Sequence, residues 1–161
     1  MGCLSDRKDE REAVITKIHG EDGEAVMTRY PVFPGIDIVY NDVHATRCAL
    51  PWNDCTRDSM FAIHHCREGR IEYHLGDAYF YLAPGDLAVG KCADFRDEAR
   101  FPTGHYHGIT VCIDPAEAPE CLSCFLADVN VRPGAILEKF CRDRVYFAKR
   151  SSPRVEHVFS E

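Results

Sequence analysis

The sequence lacks any apolar run long enough to cross a membrane. A membrane-spanning helix needs about 20 consecutive, mainly apolar residues, and no stretch of the 161-residue chain approaches that length. The N-terminus also lacks the apolar segment of a secretory signal peptide. These two absences predict a cytoplasmic protein that has no membrane partner.

An excess of positive charge is missing as well. The chain carries 19 lysines and arginines against 26 aspartates and glutamates, a formal net charge of −7 at pH 7. An acidic surface repels the phosphate backbone of nucleic acids, so this polypeptide is not expected to bind DNA or RNA by itself. With 45% hydrophobic and 28% charged residues, the composition is that of a single globular domain with a sizeable core.

Motifs of several large enzyme classes are absent. The sequence has no glycine-rich phosphate-binding loop, no G-x-S-x-G nucleophile turn and no H-E-x-x-H zinc motif. His64 and Cys66 stand two residues apart in a predicted strand, so they share a face and offer the imidazole and thiol of a cysteine hydrolase. No oxyanion loop or nucleophile turn surrounds them, and we therefore expect packing rather than catalysis at this pair.

Disulfide bonds are not expected, although the chain contains nine cysteines. Their number is odd, their spacing is irregular and no signal peptide accompanies them, which favours reduced thiols. Cys121 and Cys124 form a C-x-x-C pair, which is compatible with a redox site or with half of a zinc site. No second pair follows to complete four zinc ligands, so the pattern favours two packing residues and leaves a redox or metal role open.

What the sequence does contain is a series of short alternating segments separated by turns. Alternation of apolar and polar residues is the pattern of a strand with one buried face. Gly76-Asp77 and Pro84-Gly85-Asp86 are typical turn sequences, because glycine accepts a positive φ and proline presets a negative one. The pattern predicts an antiparallel barrel or sandwich. The predicted strands span residues 13–18, 24–30, 35–40, 60–66, 71–75, 78–82, 87–89 and 105–113.

The periodicity changes after Pro115, where apolar residues recur at helical spacing. The predicted elements are helices over residues 120–128 and 135–142 and a short extended segment over residues 145–148. Ser152 and Pro153 are a typical helix start, because serine caps the first turn and proline fits the first helical position. The helix that they begin places Val155, Val158 and Phe159 at helical spacing along one apolar stripe. It reaches Glu161 without a stop signal, so we expect a chain that is cut within a helix and belongs to something longer.

A metal-dependent barrel enzyme would need inward-facing ligands. In the cupin superfamily these are a His-x-His pair, a nearby glutamate and a later histidine, because alternate strand residues share a face. His64 and His65 are adjacent and therefore point to opposite faces. His105 and His107 have the spacing, but no carboxylate follows them before Asp114. We expect no metal and no cofactor, and the alternative is a stand-alone metal-dependent cupin enzyme that uses His105 and His107.

Polar and aromatic side chains of the predicted barrel suit a small-molecule pocket. Such pockets are mostly apolar and orient the ligand through a few polar groups. Arg47 is another polar residue of the predicted barrel. The sequence does not decide which strand face is the inner one. The candidate ligand-binding residues are Trp52, His64, Tyr73 and His107.

Three segments carry a resemblance to a known family. They are FAIHHCREGRIEYHLGDAYFYLAPGDLAVG, FPTGHYHGITVCID and APECLSCFLADVNV, which begin at Phe61, Phe101 and Ala118. Taken together, they resemble the N-terminal sensor and dimerisation domain of AraC-type transcriptional regulators. The similarity runs from about Phe33 to the end of the chain.

The resemblance implies a mainly β fold: a cupin-like antiparallel β-barrel, or jelly roll, followed by C-terminal helices. It divides the chain into a disordered polar tail (1–12), an effector-binding barrel (13–114) and a helical dimerisation segment (115–161). It also implies a homodimer, a small-molecule effector in the barrel and no catalysis. The helix-turn-helix domain of such regulators would follow this chain, so DNA binding and transcription regulation would belong to the full-length protein.

Overall fold

The computed structural model describes residues 12–50, 59–95 and 97–160, and within them it contains eleven strands and two α-helices. Their order along the chain starts with strands and ends with a helix. The strands are β1 (Val14–His19), β2 (Glu24–Phe33), β3 (Ile36–His44), β4 (Arg47–Cys48), β5 (Phe61–Gly69), β6 (Ile71–Leu75), β7 (Ala78–Leu82), β8 (Asp86–Lys91), β9 (Ala99–Arg100), β10 (Tyr106–Ile113) and β11 (Tyr146–Arg150). The helices are α1 (Pro133–Cys141) and α2 (Pro153–Ser160).

The strands form two antiparallel sheets that enclose one core. The larger sheet has the order β1-β2-β3-β10-β5-β8-β11, and the smaller sheet has the order β4-β9-β6-β7. Both sheets contribute buried side chains to the same cluster, for example Met27 and Tyr106 from the larger sheet and Tyr73 and Phe80 from the smaller one. The predicted fold class is confirmed: the chain is mainly β, with antiparallel strands in two facing sheets, and α-helices lie in its C-terminal part.

Alternation along β5 and β10 separates the barrel interior from its outer face. His64 and Cys66 face inward, whereas Ile63 and His65 face outward, as the contacts of each side chain demonstrate. The register of β5 against β10 shifts beside Gly108, where a β-bulge leaves one residue of β5 without a partner across the ladder. A bulge of this kind places two successive side chains on one side of the strand.

A second apolar cluster covers the outer face of the larger sheet. Helix α1 lies over strand residues that include Phe61 and Val89, and its Ile136, Leu137 and Phe140 are partly buried there. The apolar stripe predicted for this helix is therefore used for packing within the chain. Neither α-helix of the described ranges, nine and eight residues long, is long and apolar enough to cross a membrane.

The structure differs from the sequence prediction in three segments, residues 120–128 and the strands β4 and β9. Residues 120–128, predicted as a helix, form only a short 3-10 turn, Leu122–Cys124. Of the apolar residues in this stretch, Leu122 packs on the outer cluster, whereas Phe125 and Leu126 are exposed, so the stretch lacks the continuous buried stripe that stabilises a helix. Strands β4 and β9 lie in stretches predicted to be irregular, and at two residues each they are too short to display a period.

The short extended segment predicted after residue 114 is present in the structure. The predicted extended stretch at 145–148 is β11, which pairs with β8 and forms an edge of the larger sheet. A segment assigned to helices therefore also contributes a strand to the barrel. Of the predicted polar tail, residues 1–11 lie outside the described residues.

The two predicted turns are both present. Gly76 and Gly85 have φ angles of 61° and 85°, which glycine adopts without the steric cost of a Cβ. The carboxylate of Asp86 accepts a 2.9 Å hydrogen bond from the backbone N–H of Ala83 and closes the second turn. The turn residues therefore act through backbone geometry, and the second turn leads β7 into β8.

Candidate functional site

Two of the predicted ligand-binding residues, His64 and Tyr73, lie together inside the barrel. Both belong to a compact group of side chains from the two sheets and from the loop after β8. That group consists of His64, Ile71, Tyr73, Phe80, Leu82, Phe95 and Tyr106. The ring of Phe95 is in contact with the rings of Tyr73 and Phe80, with centroids 5.3 and 5.1 Å away. These side chains leave no room for a water-sized molecule between them.

A chain of buried polar groups runs through this otherwise apolar interior. Asn41 Nδ2 donates to Thr110 Oγ1 at 2.9 Å, and Thr110 Oγ1 lies 3.0 Å from Nδ1 of His64. Asn41 and Thr110 are 4% and 0% exposed, so water does not compete for these bonds. The carbonyl oxygen of the Asn41 side chain is also buried, yet it has no hydrogen-bond partner in the structure. A buried acceptor left unpaired costs about 1–3 kcal/mol.

The protonation states of His64 and Cys66 are set by their burial. Removal from water lowers the pKa of His64 to about 4, so the imidazole is neutral at pH 7. Burial, together with the negative charges of Asp86 and Glu156, raises the pKa of the Cys66 thiol to about 12. A cysteine hydrolase needs a thiolate beside a proton-accepting imidazole. The two shifts favour the opposite states, a neutral thiol and a weakly basic imidazole.

His65, on the other side of the same strand, contacts helix α2. Its ring stacks on Phe159 with centroids 4.4 Å apart and an interplanar angle of 3°. Its Nε2 lies 2.7 Å from Oε1 of Glu156, and this hydrogen bond lowers the pKa of the Glu156 carboxyl. The helix begins as predicted, with Ser152 Oγ accepting a 3.4 Å bond from the N–H of Val155.

The face that α2 presents to the barrel differs in part from the predicted one. The sequence indicated an apolar stripe of Val155, Val158 and Phe159, but Val158 is 68% exposed. Glu156 takes part in its place. No local signal marks this residue, because its partner His65 lies 91 positions away in the sequence.

His107, the third predicted ligand-binding residue, lies on the outer face of the larger sheet. Its Nε2 is 3.0 Å from Oδ1 of Asp42, and its Nδ1 is 3.5 Å from Oε2 of Glu68. It borders a surface groove of about 280 Å³ whose walls include Tyr40 and Arg67. The structure therefore places His107 apart from His64 and Tyr73. The fourth predicted residue, Trp52, lies outside the described residues.

The His-x-His pair also belongs to the outer side of the barrel. The ring centroids of His105 and His107 are 5.9 Å apart. Asp114 lies at the opposite end of β10, where its carboxylate accepts a hydrogen bond from the N–H of Ala116. Within the described ranges these three residues do not form a set of inward-facing metal ligands.

The C-x-x-C pair lies at the 3-10 turn on the surface: Cys121 precedes the turn and Cys124 is its last residue. The Cys121 thiol accepts a hydrogen bond from the Ser123 hydroxyl at 3.1 Å, and this bond lowers the pKa of the thiol. Cys124 is exposed, whereas the described cysteines at 48, 66, 92, 112 and 141 are buried; all seven are free thiols.

Comparison with known proteins finds similarity only among solved structures. No protein-family model matches the chain, and no curated protein matches it. The AraC-like transcriptional activator CuxR is similar at 12% identity and a TM-score of 0.40, over 56% of this chain and 32% of that one. A single-residue mutant of Bacillus subtilis oxalate decarboxylase OxdC is similar at 10% identity and a TM-score of 0.40, over 86% and 41% of the two chains.

A third similar structure is the coconut allergen cocosin, at 9% identity and a TM-score of 0.40, over 89% of this chain and 58% of that one. The chain thus spans between about a third and three fifths of the length of these three structures. At such identities the similarity concerns the fold alone.

Proposed function

We propose that the chain is the ligand-sensing and dimerisation domain of an AraC-type transcriptional regulator. In this proposal the barrel binds a small polar effector and catalyses no reaction, and a helix-turn-helix domain beyond Glu161 binds the DNA. The observation that carries the proposal is the arrangement of two adjacent histidines. His64 lies inside the barrel, and His65 lies outside it against α2. A change on the inner side of β5 therefore has a short path to the last described helix.

The proposed effector site lies against His64 and Tyr73 and requires a side chain to move. Phe95 is the residue that we expect to be displaced, because it belongs to a loop rather than to a strand. Once its ring leaves, the effector meets aromatic walls and the buried polar chain of Asn41, Thr110 and His64. The unpaired carbonyl oxygen of Asn41 supplies one further acceptor near that chain. Hydroxyl and amide groups suit such a site, since its histidine is neutral.

The effector would act through a preference for one arrangement of β5 and α2. A ligand shifts an equilibrium only by the difference between its affinities for the two states. Binding against His64 moves the strand that also carries His65, and the stacking on Phe159 depends on the position of that ring. The effector thereby strengthens or weakens the attachment of α2.

Homodimerisation is part of the same proposal. The apolar stripe of α1 packs largely on its own sheet, so the dimer contact would use apolar side chains left exposed around it, such as Leu126 and Val131. Light scattering of the purified chain is expected to report a dimer, and a monomer at high concentration would count against this part.

The effector site is tested by a thermal-shift screen with single-residue variants. The panel contains sugars, amino acids and small carboxylic acids. A ligand present at 100 times its Kd stabilises the folded chain by about 2.7 kcal/mol, which raises the melting temperature measurably. The variant Thr110→Val removes the hydroxyl between His64 and Asn41 at nearly constant volume. We expect it to lose the stabilisation that the wild-type chain displays.

The matched control is Thr16→Val, which makes the same change in β1, away from the polar chain. This variant is expected to respond to the compound as the wild-type chain does. A compound that still stabilises Thr110→Val binds elsewhere and contradicts the interior site. A panel without any stabilising compound contradicts the sensing function.

A further inference from the structure

Three potential metal ligands meet on the outer face of the larger sheet. Asp42 and His44 stand two residues apart in β3, so they share a face, and His107 of β10 is the cross-strand neighbour of Asp42. The Oδ1 atom of Asp42 lies 2.9 Å from Nε2 of His44 and 3.0 Å from Nε2 of His107. Ligand atoms of the three residues all lie within 4.8 Å of one another.

The two distances from Oδ1 of Asp42 are close to those between ligands around one metal ion. Zinc is bound by histidine nitrogens and carboxylate oxygens at about 2.0–2.2 Å, so two ligands of a tetrahedral ion are about 3.3 Å apart. The side chains of Asp42 and His44 are 57% and 62% exposed, which gives an ion access from solvent. The sheet itself holds both Cα positions, because β2 and β10 pair with β3 on either side.

A fourth residue, Glu68, lies beside His107 where the outer partner of a metal-binding histidine would lie. A histidine that binds metal through one ring nitrogen usually donates the N–H of the other to a carboxylate, which fixes the tautomer. The Nδ1 atom of His107 faces Oε2 of Glu68 at 3.5 Å. Glu68 is the cross-strand neighbour of His107 next to the bulge in β5. The Nε2 atom of His107 is sheltered from solvent and makes no well-oriented hydrogen bond, although Asp42 is close.

We infer that Asp42, His44 and His107 form a binding site for a divalent transition metal ion such as Zn²⁺, on the outside of the barrel. Two imidazoles and one carboxylate are a suitable donor set for such an ion and leave positions for exchangeable ligands. The groove beside His107, about 280 Å³ in volume and bordered by Arg67, has room for those ligands. This site differs from the His105–His107 pair, because its second imidazole comes from β3.

Titration calorimetry with Zn²⁺ at pH 7.5 tests this inference on the purified chain. We expect binding of one ion by the wild-type protein. His44→Ala and Asp42→Asn are expected to weaken the affinity by more than about 100-fold, since loss of an outer partner alone costs ~10–100-fold. Glu68→Gln is expected to weaken it by about 10-fold. These positions are at the surface, and circular dichroism verifies that each variant is folded.

His105→Ala is the discriminating control. Its ring lies near His107, but His105 is not a member of the three-residue cluster. We expect this variant to bind Zn²⁺ within about twofold of the wild-type affinity. Loss of binding in His105→Ala with retention in His44→Ala would overturn the inference, and so would the absence of Zn²⁺ binding by the wild-type chain. Neither result bears on the effector site inside the barrel.

Discussion

Replacement of Phe95 by alanine is expected to lower the free energy of unfolding by about 3–5 kcal/mol. The side chain is 2% exposed and packs against Tyr73, Phe80 and His64 between the two sheets. Alanine would lose the transfer free energy of the ring and leave a cavity that the strands of two hydrogen-bonded sheets cannot close. Chemical denaturation of the wild-type and variant chains measures the difference.

Phe125→Ala is the matched control for this loss. Phe125 stacks on Phe33 with centroids 4.9 Å apart, but it is 46% exposed. We expect a cost of about 1 kcal/mol, because the contact is a single ring pair at the surface. An equal loss of unfolding free energy in the two variants would mean that Phe95 is packed no more tightly than a ring at the surface.

The Phe95 variant also bears on the proposed effector site. Its cavity lies beside His64, where the effector would otherwise have to displace the ring. A compound that stabilises the wild-type chain is therefore expected to stabilise Phe95→Ala more strongly, since the displacement no longer opposes binding. A compound that stabilises both chains equally binds at a different place.

Lowering the pH from 6.5 to 4 is expected to destabilise the chain by about 3 kcal/mol through His64 alone. Burial lowers the pKa of His64 from 6.5 to about 4 in the folded state. Above pH 6.5 the imidazole is neutral in both the folded and the unfolded chain, and stability does not depend on this group. Between pH 6.5 and 4 His64 binds a proton in the unfolded chain but not in the folded chain, so stability falls as the pH falls. The loss is complete once the folded chain is also protonated.

His64→Asn isolates this contribution, because asparagine does not titrate and can still meet the Thr110 hydroxyl. We expect the free energy of unfolding of the variant to vary less between pH 6.5 and 4 than that of the wild-type chain. The difference in slope corresponds to about one fewer proton bound on unfolding. His74→Asn, a change at an exposed position of β6, controls for the loss of a histidine. Parallel pH profiles of the wild-type chain and His64→Asn would contradict the buried, neutral state of His64.

Glu156 contributes to the pH dependence in a lower range. Its hydrogen bond with His65 lowers the carboxyl pKa below 4.5, so this contribution is present above pH 4.5 and is lost as the pH falls through the lowered pKa. The two groups therefore act in different pH windows.

Several strands were predictable from the alternation of their residues, because successive side chains of a strand point to opposite faces of the sheet. The alternation over 71–75 and 105–113 identified β6 and β10 almost to the residue. The same reasoning separated His64 from His65, whose contacts are indeed on opposite faces. Strand β4 escaped prediction because two residues have no period.

The site was predictable only in part, because its geometry depends on register. The sequence does not say which face of β5 is inward, nor that Glu156 meets a histidine 91 positions earlier. His107 was selected by residue type, but its neighbours Asp42 and His44 follow from the pairing of β3 with β10. Long-range pairing of this kind leaves no local pattern.

A double-mutant cycle between Thr110→Val and Phe159→Ala tests the central claim, that the barrel interior is coupled to α2 through β5. The two side chains lie on opposite sides of the sheet and act on His64 and His65, respectively. Distant, independent changes add within about 0.3–0.5 kcal/mol. The pair Thr110→Val and Phe125→Ala is expected to add in this way. For Thr110→Val and Phe159→Ala we predict a coupling free energy above about 0.5 kcal/mol, and simple additivity of the two changes would contradict the account.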